Sequence, residues 1–403
     1  MTGELTGELT DEVNGEVGMS NQSAPAVLYR QAEARDLKPL LALERNCFET
    51  DRLSERSFRH WIRSKHGCLL VAEQRGEQGS EHEGSLLGYG LLWCHRGTRL
   101  ARLYSIATAP EARGKGVAQG LLTQLEEYAL EQGRLFLRLE VAKGNDAAIA
   151  LYQRMGYHVF GEYHDYYDDH RDALRMQKQI RQRRRQSGSV KEKQFESVLW
   201  YQQTTDFTCG PASLMMAMHK VDAQVQPDRA LELDLWREAT TIFMTSGHGG
   251  CHPLGLALAA ARRGFEADVY LNTRDALFLD GVRSEEKKEV MTLVHAQFVE
   301  RCQTSGIAVH YEDILQTHIA NWLEQGCGVL VLISTYRLDG KKTPHWVMVT
   351  DMDDECFYVH DPDVDEDQQP LDCQYLPIAR ADFDKMSAFG SGRLRTALAI
   401  SRK

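Results

Sequence analysis

Two short stretches of this 403-residue chain hold the residue types that chemistry needs. The first is Arg113 to Ala118, Arg-Gly-Lys-Gly-Val-Ala, which follows an apolar, β-prone run (Leu103 to Ala107) and Pro110. Gly114 and Gly116 let the backbone bend. Val117, Leu121, Leu122, Leu125 and Ala129 then recur at helical spacing. Strand, glycine turn and helix form an anion cradle, in which free N–H groups at the positive end of a helix dipole face a phosphate. The second stretch is Trp200 to Met218, with Cys209 just before Gly210 and Pro211 at the start of a helical run. A cysteine at a helix N-terminus with a protonated histidine partner titrates at roughly 3.5 to 7.5 instead of about 8.5, and is then a nucleophile at neutral pH. Gln203, six residues upstream, offers an amide N–H that can join the Cys209 N–H as an oxyanion hole. His345 opens one apolar strand and Asp361 ends the next, Cys356 to His360. Adjacent antiparallel strands would set base and orienting carboxylate side by side.

The cradle lacks the Lys-Ser or Lys-Thr of a P-loop, and Gln119 stands where a dinucleotide fingerprint has its third glycine. Arg113, Gly116 and Ala118 instead resemble the acetyl-CoA signature Q/R-x-x-G-x-G/A of the GNAT acetyltransferases. A second run, Leu139 to Tyr157, matches that family's later motif L-E-V-x-x-x-N-x-x-A-x-x-L-Y-x-x-x-G-[FY]. The resemblance implies an acetyl-CoA site built from Arg113, Gly114, Lys115, Gly116, Val117 and Ala118. It also implies pantetheine pairing by the backbones of Ile106 and Ala107, and contact of Asn145 with the CoA arm. Acetyl transfer to an amine needs a base for the amine proton and an acid for the departing thiolate. Glu140, expected at a strand end, is implied as the base and Tyr152 as the acid. Gly161 to Met176 is similar to the ending of the RimI-type N-terminal alanine acetyltransferases, where Tyr166 or Tyr167 would shape the pocket for a peptide or ribosomal-protein N-terminus.

Gln203, Cys209, His345 and Asp361, with Q-x5-C spacing and sixteen residues from His to Asp, resemble the papain-like peptidases that remove double-glycine leaders from bacteriocins. The resemblance implies peptide-bond hydrolysis by a Cys-His-Asp triad. Those peptidases are usually fused to a membrane exporter, whereas this sequence shows no apolar run near 18 residues, so the peptide substrate is open. Phytochelatin-synthase-like transpeptidases share the CGPAS run, which leaves transpeptidase or amidase chemistry as an alternative. A further alternative is a peptide-binding or acetyl-CoA-sensing module in which one domain has lost its chemistry.

The elements that must position these residues divide the chain. Residues 1–24 read as a disordered acidic tail, 25–180 as the GNAT domain, 181–196 as a basic linker and 197–403 as the peptidase domain. The expected fold is an α/β GNAT fold, a mixed central sheet flanked by helices, followed by an α+β papain-like fold. Strands are expected at Val27–Gln31, Cys68–Gln74, Leu86–Cys94, Leu103–Ala107, Leu135–Val141, Tyr157–Phe160 and Ala173–Gln177. Helices are expected at Leu37–Cys47, Ser54–Ser64, Gly116–Gln132 and Ala147–Met155, and residues 76–85 read as a surface hairpin loop. A net charge of −11 argues against nucleic acid as the main partner. Nine cysteines without a CxxC pair suggest neither a disulfide framework nor a zinc ribbon. No secretory signal or membrane span is read, and the cytoplasm is the expected location. His248, Cys251 and His252 read as part of a glycine-rich loop near the cleft rather than as metal ligands. The acidic run Asp361 to Asp372 has Glu366 where a calcium loop needs glycine, so no metal is expected and the run reads as a solvated rim that favours basic peptides.

Overall fold

The computed structural model describes residues 27–74, 85–181, 195–244, 247–338, 340–365 and 368–403. The expected acidic tail, most of the surface hairpin loop and most of the basic linker lie outside these residues. The first half alternates strands and helices: β1 (Val27–Gln31), α1 (Leu37–Cys47), α2 (Glu55–Arg63), β2 (Gly67–Gln74), β3 (Leu86–Cys94), β4 (Leu100–Thr108), α3 (Val117–Glu131), β5 (Phe136–Ala142), α4 (Asp146–Arg154), β6 (His158–Tyr163) and β7 (Ala173–Gln179). Their sheet has the order β1-β2-β3-β4-β5-β7-β6 and is antiparallel except where β4 meets β5. β4 begins three residues before the expected run, and those residues carry its pairing with β5. Only Leu100, Ala101 and Arg102 pair, opposite Phe136, Leu137 and Arg138. Beyond Arg102 the two strands part. The register of β4 on β3 shifts between Leu91 and Leu92, which leaves Tyr104 as an extra residue, a bulge that bends β4 away from β5.

The second half consists of α5 (Cys209–Val221), α6 (Arg229–Ala239), α7 (Pro253–Arg262), β8 (Phe265–Leu271), α8 (Glu285–Thr304), β9 (Ala308–His310), α9 (Gln316–Glu324), β10 (Gly328–Ser334), β11 (Pro344–Met352), β12 (Cys356–His360), β13 (Leu376–Ala379), α10 (Arg380–Met386) and β14 (Thr396–Arg402). Its sheet runs β13-β12-β11-β10-β14-β8-β9. β10 is apolar throughout because both of its faces are covered. Leu330 and Leu332 join a core with Leu214, Leu254 and Trp346 from the α5 and α7 side. Val329, Val331 and Ile333 point the other way, as the two-residue period of a strand requires.

That second core also contains Leu100 and Phe136 of the first sheet. Phe136 meets Tyr358 edge-on, with ring centroids 6.1 Å apart. The two sheets therefore share a core. Three buried arginines of the first sheet complete the junction. Arg138 donates to the Gln374 carbonyl at 2.9 Å and the Tyr375 carbonyl at 2.7 Å, and its Nε to Gln177 at 2.7 Å. Arg175 reaches Gln374 Oε1 at 3.0 Å, and Arg102 reaches Asp372 at 2.7 Å. Burial, with Arg175 alongside, brings Arg138 down to about 9, so it remains a cation at neutral pH.

Candidate active sites

The cradle is the turn before α3. Gly114 and Gly116 have φ of +75° and +81°, the left-handed region that residues with a Cβ rarely adopt. A Cβ at either position would meet nothing within 4 Å, so the glycines serve backbone conformation rather than space. Gly116 is the N-cap of α3, and no side chain caps the helix. The N–H groups of Val117, Ala118 and Gln119 thus face outward without an intrahelical acceptor. Ile106 and Ala107 lie on the part of β4 that has left β5, so their strand keeps a free edge toward the fork. Asn145 is the N-cap of α4, where its side-chain oxygen accepts from the Ala148 N–H at 3.3 Å. Capping is therefore the role its carbonyl fills here.

Glu140 differs from expectation. It is the fifth of seven residues in β5, not a strand end, and its side chain is only 5% exposed. Its Oε2 takes the Arg102 Nε–H at 2.9 Å, and Arg175 Nε stands 3.8 Å from Oε1. Burial opposes the Arg102 charge, but Glu140 and Asp372 outweigh it and hold the guanidinium well above its usual value. Tyr152 is buried within α4, and burial pushes its phenol up, so it keeps its proton at neutral pH. Tyr166 accepts from Arg102 Nη2 at 2.9 Å, and burial raises it to about 12. Tyr167 is raised by burial and by the proximity of Tyr166, Glu140, Tyr152 and Asp51. The structure thus gathers Glu140, Tyr152, Tyr166 and Tyr167 around one point. Asp51, between α1 and α2, closes over it by accepting the Asp168 N–H at 3.2 Å.

The second site forms where α5 crosses β11. Ser213 Oγ donates to the Trp346 carbonyl at 3.0 Å and pins the helix to the strand. Gly210 permits this close approach, because a Cβ there would lie 2.9 Å from Cys251 Cβ and 3.2 Å from Trp346 Cδ1. Cys209 is the first helical residue, at the positive end of the α5 dipole. The pairing of Met348 with His360 brings His345 and the residues after β12 to the same end of the sheet. His345 Nε2 lies 2.7 Å from Asp361 Oδ1, and the Cys209 thiol is near enough to the same ring to favour its protonated form. Burial opposes protonation of His345, but Asp361 and Cys209 outweigh it and raise it well above its usual value. Because that value is raised on folding, the pair stabilises the fold fully below about 6.5 and progressively less as pH rises through the folded-state value. Melting temperature against pH should therefore show a decline on the alkaline side that is absent from His345→Gln.

Gln203 is turned differently from expectation. Its Nε2 donates to Asp363 Oδ1 at 3.1 Å, and its buried Oε1 has no partner. Asp363 is the residue the sequence did not single out; it is two positions from Asp361 and its N–H donates to Asp361 Oδ1 at 2.9 Å. One N–H of Gln203 is therefore committed to Asp363, and its second N–H remains available beside the Cys209 N–H. A small cleft beside Cys209 is lined by Met244, Gly250, Cys251, Phe278, Leu332 and Trp346. The glycine-rich loop thus reaches the cleft through Gly250 and Cys251.

His252 caps α7 by accepting the Leu254 N–H at 3.1 Å, so its Nε2 carries the proton that His295 Nδ1 accepts at 3.0 Å. Burial, with His295 next to it, holds His252 well below its usual value, as a neutral cap. His360 is likewise held at about 3 by burial and the nearby Arg175, in contrast to His345, which Asp361 raises. The acidic run is not the solvated rim expected. Asp361, Asp363 and Asp372 are all engaged, and Asp372 is 2% exposed. Among the described residues, no group of three or more His, Cys, Asp or Glu side chains could hold a metal ion. Nor, among them, is any helix long and apolar enough to cross a membrane.

The sheet with its parted β4 and β5 and the glycine cradle define an acetyltransferase of the GNAT class, and the model of the Acetyltransferase (GNAT) family matches residues 35–157. The model of the Peptidase_C39 like family matches residues 198–401, half of the chain, and the chain belongs to that family. The first half is similar to the ribosomal-protein-S18-alanine N-acetyltransferase from Escherichia coli, at 23% identity over 41% of this chain and 98% of that one, with a TM-score of 0.33. It is also similar to nourseothricin acetyltransferase, at 25% identity over 39% and 99%, TM-score 0.32. A third similar structure is Arabidopsis thaliana NAA60 in complex with acetyl-CoA, at 19% identity over 38% and 99%, TM-score 0.35.

Proposed function

We propose a bifunctional enzyme that transfers acetyl from acetyl-CoA to the N-terminal amine of a peptide or protein and cleaves a peptide bond with a Cys209–His345–Asp361 triad. The first activity rests on the uncapped, doubly glycine-bent start of α3 beside the open fork of β4 and β5. The Val117 to Gln119 N–H groups would hold phosphate, with Arg113 and Lys115 adding positive charge, and the free edge of Ile106 and Ala107 would pair the pantetheine amides. Glu140 takes the proton of the acceptor amine, directly or through water, and Tyr152 gives its proton to the departing sulfur. Bound acetyl-CoA supplies the activated acetyl group.

The second activity rests on the His345–Asp361 hydrogen bond beside Cys209, which starts a helix. Cys209 attacks the scissile carbonyl, and the Cys209 N–H steadies the oxyanion. His345 delivers its proton to the leaving amine, which leaves a thioester on Cys209. His345 then draws a proton from water, and hydroxide displaces the thiol. Asp361 keeps the imidazole oriented and offsets its charge.

The cut exposes an amine, and the acetyltransferase half acts on such a group, so the two reactions follow in sequence. Mass spectrometry of a peptide library incubated with the protein, with and without acetyl-CoA, tests the scheme. One acetyl gained at peptide N-termini, and fragments that vanish in Cys209→Ala, are the expected results. Acetyl gain only at lysine side chains would overturn the N-terminal reading. Transfer of the acyl group to a second amine would overturn hydrolysis.

A further inference from the structure

We propose that Asp372 and Gln369, carried by the C-terminal half, are positioning residues of the acetyltransferase site. The inference rests on the reading of Glu140 as the base. Arg102 is the hinge of the argument. Its guanidinium is a rigid fork whose N–H directions cannot be varied independently. Nη1 is taken by Asp372 Oδ1 at 2.7 Å, and Nη2 by Tyr166 at 2.9 Å and Gln369 Oε1 at 3.0 Å. That leaves Nε for Glu140, and Nε meets one oxygen only, Oε2 at 2.9 Å. Among the described residues, no hydrogen bond is made to Glu140 Oε1.

The polar atom that faces this free oxygen is itself unpartnered. Arg175 Nε is buried, has no hydrogen-bond partner and stands 3.8 Å from Oε1. An oxygen that no hydrogen bond occupies is the one that can take a proton from the acceptor amine, directly or through water. The C-terminal half keeps this arrangement open. Asp372 Oδ2 accepts the Gln369 N–H at 2.8 Å, and Gln369 Nε2 reaches the Tyr104 hydroxyl at 3.3 Å, at the bulge of β4. Without the Asp372 carboxylate, Nη1 loses its charged partner and is left at most a weaker, neutral acceptor. Arg102 can then turn its fork onto Glu140, two N–H groups on two oxygens, which is the stronger pairing and consumes Oε1.

The same loop serves the thiol site. It starts at Asp361, and the Asp361 N–H donates to the Cys373 carbonyl at 2.8 Å, next to Asp372. One loop thus holds a carboxylate at His345 with one end and a carboxylate at Arg102 with the other.

The test is steady-state acetyl transfer by the full-length protein to the best acceptor peptide from the library, with Asp372→Asn, Asp372→Glu, Gln369→Ala and Glu140→Gln variants. Asp372→Asn should lower kcat by on the order of 10-fold to 100-fold, the range expected when a reacting group is misplaced rather than removed. The KM for acetyl-CoA should stay at the wild-type value, and Asp372→Glu should recover part of kcat. Gln369→Ala, at a less buried position, should lower kcat in the same sense should Asp372→Asn fold poorly. Wild-type kcat in both Asp372→Asn and Gln369→Ala, with Glu140→Gln impaired, would overturn this inference alone. Wild-type kcat in Glu140→Gln would overturn the reading of Glu140 as the base, and this inference with it.

Discussion

Cys209→Ala should abolish peptide cleavage, a loss of at least about 10⁴-fold, while acetylation of a pre-cut peptide continues at the wild-type rate. The size follows from what the substitution removes. The nucleophile disappears, and with it the covalent step that divides a difficult hydrolysis into two easier ones. His345→Ala leaves the thiol at the start of α5 but removes the imidazole beside it, the proton carrier, worth about 10²–10⁴-fold. Neither change should be felt at the cradle, because Gly116 and Cys209 start different helices in different sheets. Fragment formation and acetyl gain, read from the same digests, separate the two rates. Acetylation of an uncleaved natural acceptor by Cys209→Ala at the normal rate would remove the case for a cut followed by acetylation.

Arg138→Ala should destabilise the whole protein by about 3–5 kcal/mol, and one transition, not two, should move in calorimetry. The guanidinium is 2% exposed and fills three hydrogen bonds, two of them to carbonyls of the other half. Truncation leaves the Gln374 and Tyr375 carbonyls and Gln177 Oε1 buried without a donor, at about 1–3 kcal/mol for each group that water fails to reach. It also removes the charge that stands over the Phe160 ring, 4.9 Å from its centroid. The single transition follows from the shared core, since Leu100 and Phe136 of the first sheet pack with Val331, Val347 and Tyr358 of the second. Two separated transitions, with only the first shifted, would show that the halves melt independently.

What the sequence made legible was local. Apolar runs and period-3.6 patterns located β1, β3, α1 and β12 to the residue, because the burial of each is written in its own residues. Ser54 and Gly116, read as first helical residues, prove to be N-caps one position outside, the usual ambiguity at a helix end. Cys209, His345 and Asp361 could be singled out because each begins or follows an element that spacing alone reveals. Arg102 could not. Its side chain sits at the end of an apolar strand start, and its decisive partner lies 270 residues away. Glu140, read as the base at the end of its strand, lies within the strand against Arg102. Asp372, at the end of the acidic run, looked solvent-bound because the charge balance of the run ignores Arg102, which the other sheet turns toward it. A charged residue on an otherwise core-facing strand position, as at Arg102, Arg138 and Arg175, was the one signal that pointed to a covering surface.

The central claim is that Cys209 is a nucleophile activated by His345, and iodoacetamide labelling at neutral pH tests it most directly. Cys209 should be alkylated at least about tenfold faster than each of the other eight of the nine cysteines, and His345→Ala should remove that advantage. Labelling at Cys209 no faster than elsewhere, or unchanged in His345→Ala, would contradict the account and leave the second half a peptide-binding fold.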